Sequence, residues 1–271
     1  MSNVKKNDSK ETVLIKKSEF GMVALFDVLG YKSLMENAEI DYVANEILSL
    51  FNEMQNMVHS DIISLGTDSD VKSLIQEFLK NVKWLIFSDT ILISLRNFSH
   101  HSSIVWVFFL TICNSLQSKM FANGLPLRGA IAYGPYIISE KCFAGKAIVD
   151  AYNLAESTDW SGCVLHASAE QELERIKVEL DKDNSLEIRE VLFETNVQKY
   201  FVPLKSGKID NRYCINWPKL YLKIEKTNIR KSIITSFQKH KKHIFPQVHS
   251  KILNTEMFMT LCYDQKFKNI K

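Results

Sequence analysis

The run GMVALFDVLG, residues 21–30, limits the possible folds more than any other segment of the chain. It is apolar almost without interruption and closes at Asp27 and Gly30, which reads as a buried strand. A second run, WLIFSDTILISL at 84–95, divides into two β-rich halves around Ser88-Asp89 and reads as a strand–turn–strand hairpin. Each run therefore carries one carboxylate at the mouth of an apolar element. Such a group is costly to bury unless it is paired, hydrogen-bonded or bound to metal. Two of them on adjacent central strands suit a pair of Mg²⁺ or Mn²⁺ ions, which lie about 3.5–4 Å apart in phosphoryl-transfer sites. The alternative use is a helix cap at Asp27 and a plain turn at Asp89.

The remaining pattern sets these runs in a mixed fold. Residues 1–18 read as a polar, flexible leader. Apolar spacing from Lys32 to about Gln76 predicts two helices broken at Gly66-Thr67-Asp68. Ile104 to Met120 reads as a buried helix closed by Asn123-Gly124. LRGAIAYGPY, from 127, reads as a glycine-interrupted strand, with a short strand at Tyr136–Ser139, and Gly145 to Ser157 as a helix. A strand at 163–168, a helix at 170–180 and closing strands at 201–204 and 212–217 follow. The order argues α/β (α+β), with a mostly antiparallel sheet and helices on one face. The predicted strands and helices of the main domain fill residues 19–217, and 218–271 read as a basic, mostly helical C-terminal extension.

Charge and cysteine usage narrow the function classes. Residues 221–271 hold eleven Lys and Arg against three Asp and Glu in a chain of net charge only +3, so the body is acidic. A generic nucleic-acid binder is thereby disfavoured, although the tail has the charge to meet an anion. Five scattered cysteines show neither zinc spacing nor a disulfide framework. The first residues lack a signal-peptide core, and Ile104–Cys113 is about half the roughly 20 residues that span a bilayer. A cytoplasmic protein without a stable membrane or nucleic-acid partner is expected.

Six segments, in order, resemble class III nucleotidyl cyclases. FDVLGYKSL (26–34) is similar to their first metal motif, with one residue fewer between Phe26 and Asp27. IFSDTILIS is similar to the second metal hairpin, and LRGAIAYGP, FAGKAIVDAYNLAES, CVLHASAEQEL and VPLKSGKIDNRYCINW to the later strands and helices of that domain. The resemblance implies a ferredoxin-like fold and a homodimer with active sites at the interface, where metal ligands and base-reading residues come from different protomers. Two Mn²⁺ or Mg²⁺ ions per site would be held by Asp27, Asp89 and the Val28 carbonyl. Lys205 falls where the family places a lysine on the triphosphate, a role that suits an ammonium point charge.

Other positions depart from the family. Its transition-state Asn and Arg fall on Val149 and Asn153, and its adenine-reading Lys and Asp on Leu85 and Cys142. A developing phosphate charge needs a donor, which leaves Arg128, Asn153 and Arg212 as candidates; a structural salt bridge is the other use of Arg128. The Phe-Ser-Asp-Thr, Leu-Arg-Gly-Ala-Ile-Ala-Tyr-Gly and Val-Pro-Leu-Lys segments resemble bacterial Pycsar pyrimidine cyclases. That group makes cyclic UMP, more commonly, or cyclic CMP on phage infection, and the product activates a separate effector protein. UTP is the favoured substrate, with CTP second. A purine cyclase and an inactive nucleotide-binding module are the alternatives. His240, Lys241, Lys242 and His243 read as a solvated basic helix, His100-His101 as loop, and Tyr152 and Trp160 as core.

Overall fold

The computed structural model describes residues 18–66, 69–97, 102–139, 142–221 and 225–268. Most of the predicted leader, the Thr67-Asp68 part of the expected break and His100-His101 lie outside the described residues. The described residues open with strand β1 (Glu19–Val28) and helix α1 (Tyr31–Asn37). A turn α2 (Ile40–Tyr42) runs through a π-helical segment (Val43–Leu48) into α3 (Ser49–Ile63), and α4 (Ser69–Asn81) follows. Next come the hairpin β2 (Val82–Phe87) and β3 (Thr90–Arg96), α5 (Ser102–Ala122), β4 (Leu127–Ser139) and β5 (Cys142–Ala144). Helix α6 (Lys146–Ser157), β6 (Cys163–Leu165) and α7 (Ala167–Lys182) lead to α8 (Leu186–Glu190) and a second π-helical segment, Val191–Asn196. Strands β7 (Val197–Pro203) and β8 (Ile209–Ile215) precede α9 (Pro218–Tyr221), α10 (Ile229–Gln238) and α11 (Pro246–Lys268).

The sheet runs β2-β3-β1-β4-β6-β8-β7, with β5 paired to β4. Its pairs are antiparallel except β4 with β6, so the mixed fold with a mostly antiparallel sheet is the one expected. The expectation of helices on one face is corrected. Residues 21–26 of β1 are buried without a break, although successive side chains point to opposite faces. On the Met22–Ala24–Phe26 face, α5 brings Trp106 to 6.0 Å from the Tyr133 ring, and α3 brings His59 to the Trp84 indole at 3.1 Å. On the opposite, Leu25 face, α6 packs across β1 and β4. Apolar cover on both sides explains why β1 shows no polar alternation.

Helix α5 is long and apolar enough over Ser103–Ala122 to cross a bilayer, but 72% of its most apolar window is buried inside the protein, as in a core helix. The C-terminal extension shares that core. Ile229, Ile233, Phe237, Phe258 and Met259 join the same apolar cluster as β1 and α5, and Phe258 meets the Trp160 ring edge-on at 4.7 Å.

Candidate active site

Strand register assembles the site. Asp27 in β1 stands opposite Thr90 in β3 on one side and Arg128 in β4 on the other. Asp89 occupies the β2–β3 turn, where Ser88 adopts a left-handed conformation (φ 57°), and its carbonyl accepts from the Val28 N–H at 3.0 Å. That bond ties the hairpin tip to the end of β1. The next glycine, Gly30, has φ 79° and caps α1, so the chain leaves the strand in a turn that disfavours a side chain.

A chain of charges runs outward from Asp27. Arg128 Nη2 donates to Asp27 Oδ2 at 2.8 Å and also to Glu156 Oε1, while Lys205 Nζ lies 3.2 Å from Glu156 Oε2. The Lys205 backbone N–H is held by the Ser157 carbonyl at 2.8 Å, which fixes the β7–β8 turn against the end of α6. Arg128 is buried, and its Nε has no hydrogen-bond partner among the described residues. The Asp27 carboxyl is pushed up to about 6, chiefly by burial; Arg128 offsets part of this, whereas the negative charges of Asp89 and Glu156 add to it. Asp89 and Glu156 thus stand near enough to Asp27 for their charges to disfavour its ionisation.

Beside Asp27, on the same face of the sheet, lies an open apolar cleft of about 430 Å³. Leu25, Leu85 and Leu92 form its floor, and Phe143, Ile148 and Tyr152 its walls. Thr90, the cross-strand neighbour of Asp27, lines it as well, so cleft and carboxylates are contiguous. Gly145 lets α6 come this close: a Cβ there would lie 2.5 Å from Tyr136 Cα.

Asp27, Val28, Asp89, Arg128 and Lys205 are therefore brought together, with Leu85 in the adjoining cleft. Asn153 is exposed on α6. Cys142 is exposed on β5, whose next residues, Phe143 and Ala144, line the cleft. Arg212 is not joined to this group; it is held by Asp210 at 2.8 Å and Glu170 at 3.4 Å. Glu156, which the sequence pattern does not single out, links the two cations. Tyr152 is exposed rather than core, while Trp160 is fully buried. The basic tail also departs from expectation. Residues 239–245 are not helical, Lys242 is buried, and the His240 ring reaches Tyr42 Oη at 2.7 Å.

Among the described residues no group of three or more His, Cys, Asp or Glu is arranged to hold a metal ion. The Asp27 and Asp89 carboxylates and the Val28 carbonyl are nevertheless hard oxygen donors. Magnesium-type sites commonly use one or two carboxylates and complete the shell with substrate phosphates and water. The Asp27 carboxyl is raised chiefly by burial, and the smaller contribution from the negative charges of Asp89 and Glu156 is one that a divalent cation would offset. The residues fit such an ion.

No protein-family model and no curated protein matched the chain. Among solved structures, the crystal structure of the guanylyl cyclase Cya2 is similar, with 13% identity and a TM-score of 0.42 over 73% of this chain and 91% of that one.

Proposed function

We propose that this protein is a nucleotidyl cyclase that converts a pyrimidine nucleoside triphosphate, UTP in preference to CTP, to its 3′,5′-cyclic monophosphate. The supporting observation is the meeting of Asp27 and Asp89 beside the Arg128–Glu156–Lys205 chain and an apolar cleft. In the reaction the ribose 3′-hydroxyl gives up its proton to water as its oxygen bonds to the α-phosphorus, the bond from that phosphorus to the bridging oxygen breaks, and pyrophosphate leaves. Asp27, Asp89 and the Val28 carbonyl would hold Mn²⁺ or Mg²⁺, two ions per site, which supply Lewis-acid charge to the phosphates. Lys205 at the turn and Arg128 behind it provide positive charge for the triphosphate and the departing pyrophosphate. Leu25, Leu85 and Leu92 offer the base a dry surface, with no charged reader at Leu85.

Phe87 is 72% exposed, and Phe143, Val149 and Tyr152 are exposed beside it around the cleft. A contiguous apolar surface of this kind favours docking of a second copy. A homodimer would set Asn153 and other α6 donors across the interface, in place of the transition-state groups absent at Val149. The cellular role we attach to this reading is cytoplasmic antiphage signalling, in which the cyclic nucleotide acts on a separate effector. A nucleotide-binding module without turnover is the second reading, favoured by Val149.

The test is product identification by mass spectrometry after incubation with each of the four nucleoside triphosphates and Mn²⁺, beside Asp27→Ala and Asp89→Ala. Cyclic UMP or cyclic CMP from the parent protein alone is expected. Full activity in both variants would overturn the metal assignment, and nucleotide-dependent thermal protection without product would favour the silent module.

A further inference from the structure

Residues 239–245, between α10 and α11, form an irregular strap that runs against the turn after Asp27. Its backbone is strained. His240 and Lys241 are consecutive left-handed residues, with φ 62° and 59°, a region disfavoured for any residue with a Cβ. Lys242 then turns inward and is buried, its ammonium donating to the Gly124 and Ser236 carbonyls at 2.6 and 3.2 Å. Both acceptors are neutral. A buried charge on neutral partners and two left-handed residues in succession each oppose folding, so stability does not explain the arrangement. Strain of this kind gathers where a site needs a fixed geometry.

The strap reaches the framework of the Asp27 site. A Cβ at Gly30 would stand 3.1 Å from Lys242 Cδ, so the lysine stem fills the space that Gly30, with φ 79°, leaves open. The residues just before Gly30 are fixed from two other directions. Val28 N–H donates to the Asp89 carbonyl at 3.0 Å, and Leu29 N–H to the Pro126 carbonyl at 2.9 Å. Pro126 belongs to the same α5–β4 loop as Gly124, on which the Lys242 ammonium is anchored, and this loop leads into β4 and Arg128. The strap is tied at both ends. His240 Nε2 donates to the Asn123 carbonyl at 2.6 Å, and His243 N–H to Ser33 Oγ, in the first turn of α1, at 3.1 Å. The α5–β4 loop and the start of α1 are thereby joined, with the turn that carries Val28 between them. The Lys242 ammonium is spent on the two carbonyls rather than on Asp27 or Asp89, so its influence on the site passes through the turn.

We propose that Lys242 is a positioning residue for the Asp27 site: its anchored stem braces Gly30 and so fixes the Val28 carbonyl and the Asp27 carboxylate for a divalent cation. The proposal rests on the reading of Asp27, Val28 and Asp89 as metal ligands. Removing residues that orient ligands from behind typically weakens metal binding by about 10–100-fold.

The experiment uses the full-length chain without substrate. The parent protein is compared with Lys242→Met, Lys242→Ala and, as a binding control, Asp27→Ala. Amide hydrogen exchange in the metal-free protein reads the turn through the Val28 and Leu29 N–H groups, and titration calorimetry reads Mn²⁺ affinity. Both Lys242 variants are expected to speed exchange at Val28 and Leu29 by about tenfold or more. They should also bind Mn²⁺ at least about tenfold more weakly, although Lys242→Met is no less stable than the parent at pH 7. A lysine that only supported the fold would lower stability and metal affinity together. Unchanged exchange in the turn would overturn the proposal, whatever the metal does, and so would faster exchange with unchanged Mn²⁺ affinity. A parent protein that binds Mn²⁺ no more tightly than Asp27→Ala would overturn the metal reading and with it the metal part of this proposal, while the exchange data would still decide whether Lys242 braces the turn.

Discussion

Lys242 carries its ammonium into the protein, where Nζ donates to the Gly124 carbonyl at 2.6 Å and the Ser236 carbonyl at 3.2 Å. Both partners are neutral, and burial pushes its pKa down to about 7. An unfolded lysine keeps its proton to about pH 10.4. Between those values the unfolded chain binds the extra proton, so this group makes stability rise with pH from about 7 to 10. Below pH 7 both states are charged and the cost is constant. The full effect is roughly 3–5 kcal/mol. Lys242→Met should therefore be the more stable protein at pH 6, with the gap closing toward pH 10; urea unfolding curves that stay parallel with pH would refute this. Nothing local in the sequence marks this lysine as buried, because its partner Gly124 is far away in the chain. Asp27 and Asp89 are legible for the opposite reason, each being a carboxylate in an apolar run. Glu156 is not, since a glutamate at a helix end is ordinary until Arg128 is seen beneath it. That arginine is 7% exposed and joins both acids, of which Asp27 is 25% and Glu156 41% exposed, so losing it leaves partly solvated carboxylates unpaired at a cost of about 1–3 kcal/mol. Arg128→Ala should lose stability on that scale, and adding Asp27→Asn should restore part of it; strictly additive losses in denaturant would argue against coupling.

Elements whose cues are local can be read from the chain alone. β1 and the β2–β3 hairpin follow from apolar runs and one turn, and the start of α6 from its glycine. Residues 186–196 escape such a reading because the helical turn Leu186–Glu190 and the π-helical segment after it mix Glu, Arg, Leu and Phe without a clear face. β7 begins at Val197, earlier than expected, because Val197 and Gln198 are buried by neighbours no local pattern reveals. Gly145 is the element-scale control point. Its φ is 137°, and an alanine Cβ would stand 2.5 Å from Tyr136 Cα, so there is no room for alanine. Gly145→Ala must shift α6 away from β4, or twist its first turn, and either change widens the Leu25–Ile148 cleft. A loss of more than about 1 kcal/mol is expected, together with weaker nucleotide protection in thermal shift. Unchanged melting and unchanged nucleotide protection would show that α6 is not positioned by this contact.

At the scale of the whole molecule, the division into a catalytic domain and a separate basic extension meets a continuous core. Trp160 stacks on Tyr200 at 5.3 Å and takes the edge of Phe258 from α11, and the Ser161 N–H is held by Thr255 Oγ1 at 2.9 Å. On the other flank, α10 anchors Ser236 Oγ to the Phe121 carbonyl at 2.8 Å, and His243 N–H reaches Ser33 Oγ at 3.1 Å beside α1. The basic composition of the extension conceals this, because Ile233, Phe237, Phe258 and Met259 face inward between its lysines. A protein ending at Trp217 would leave Trp160 and the Phe121–Trp217 pair, now 4.7 Å apart, without their cover. We expect that truncation to aggregate or to lose its near-ultraviolet circular dichroism. Because a failed truncation has many causes, the sharper measurement is Phe258→Ala in the full chain. Removing a fully buried phenylalanine costs about 3–5 kcal/mol when the surroundings cannot collapse. If the extension and the sheet form one cooperative unit, the whole urea transition moves by that amount and Trp fluorescence and circular dichroism stay coincident. A variant that instead splits into two transitions, with the sheet melting at its original midpoint, would establish the extension as a domain of its own.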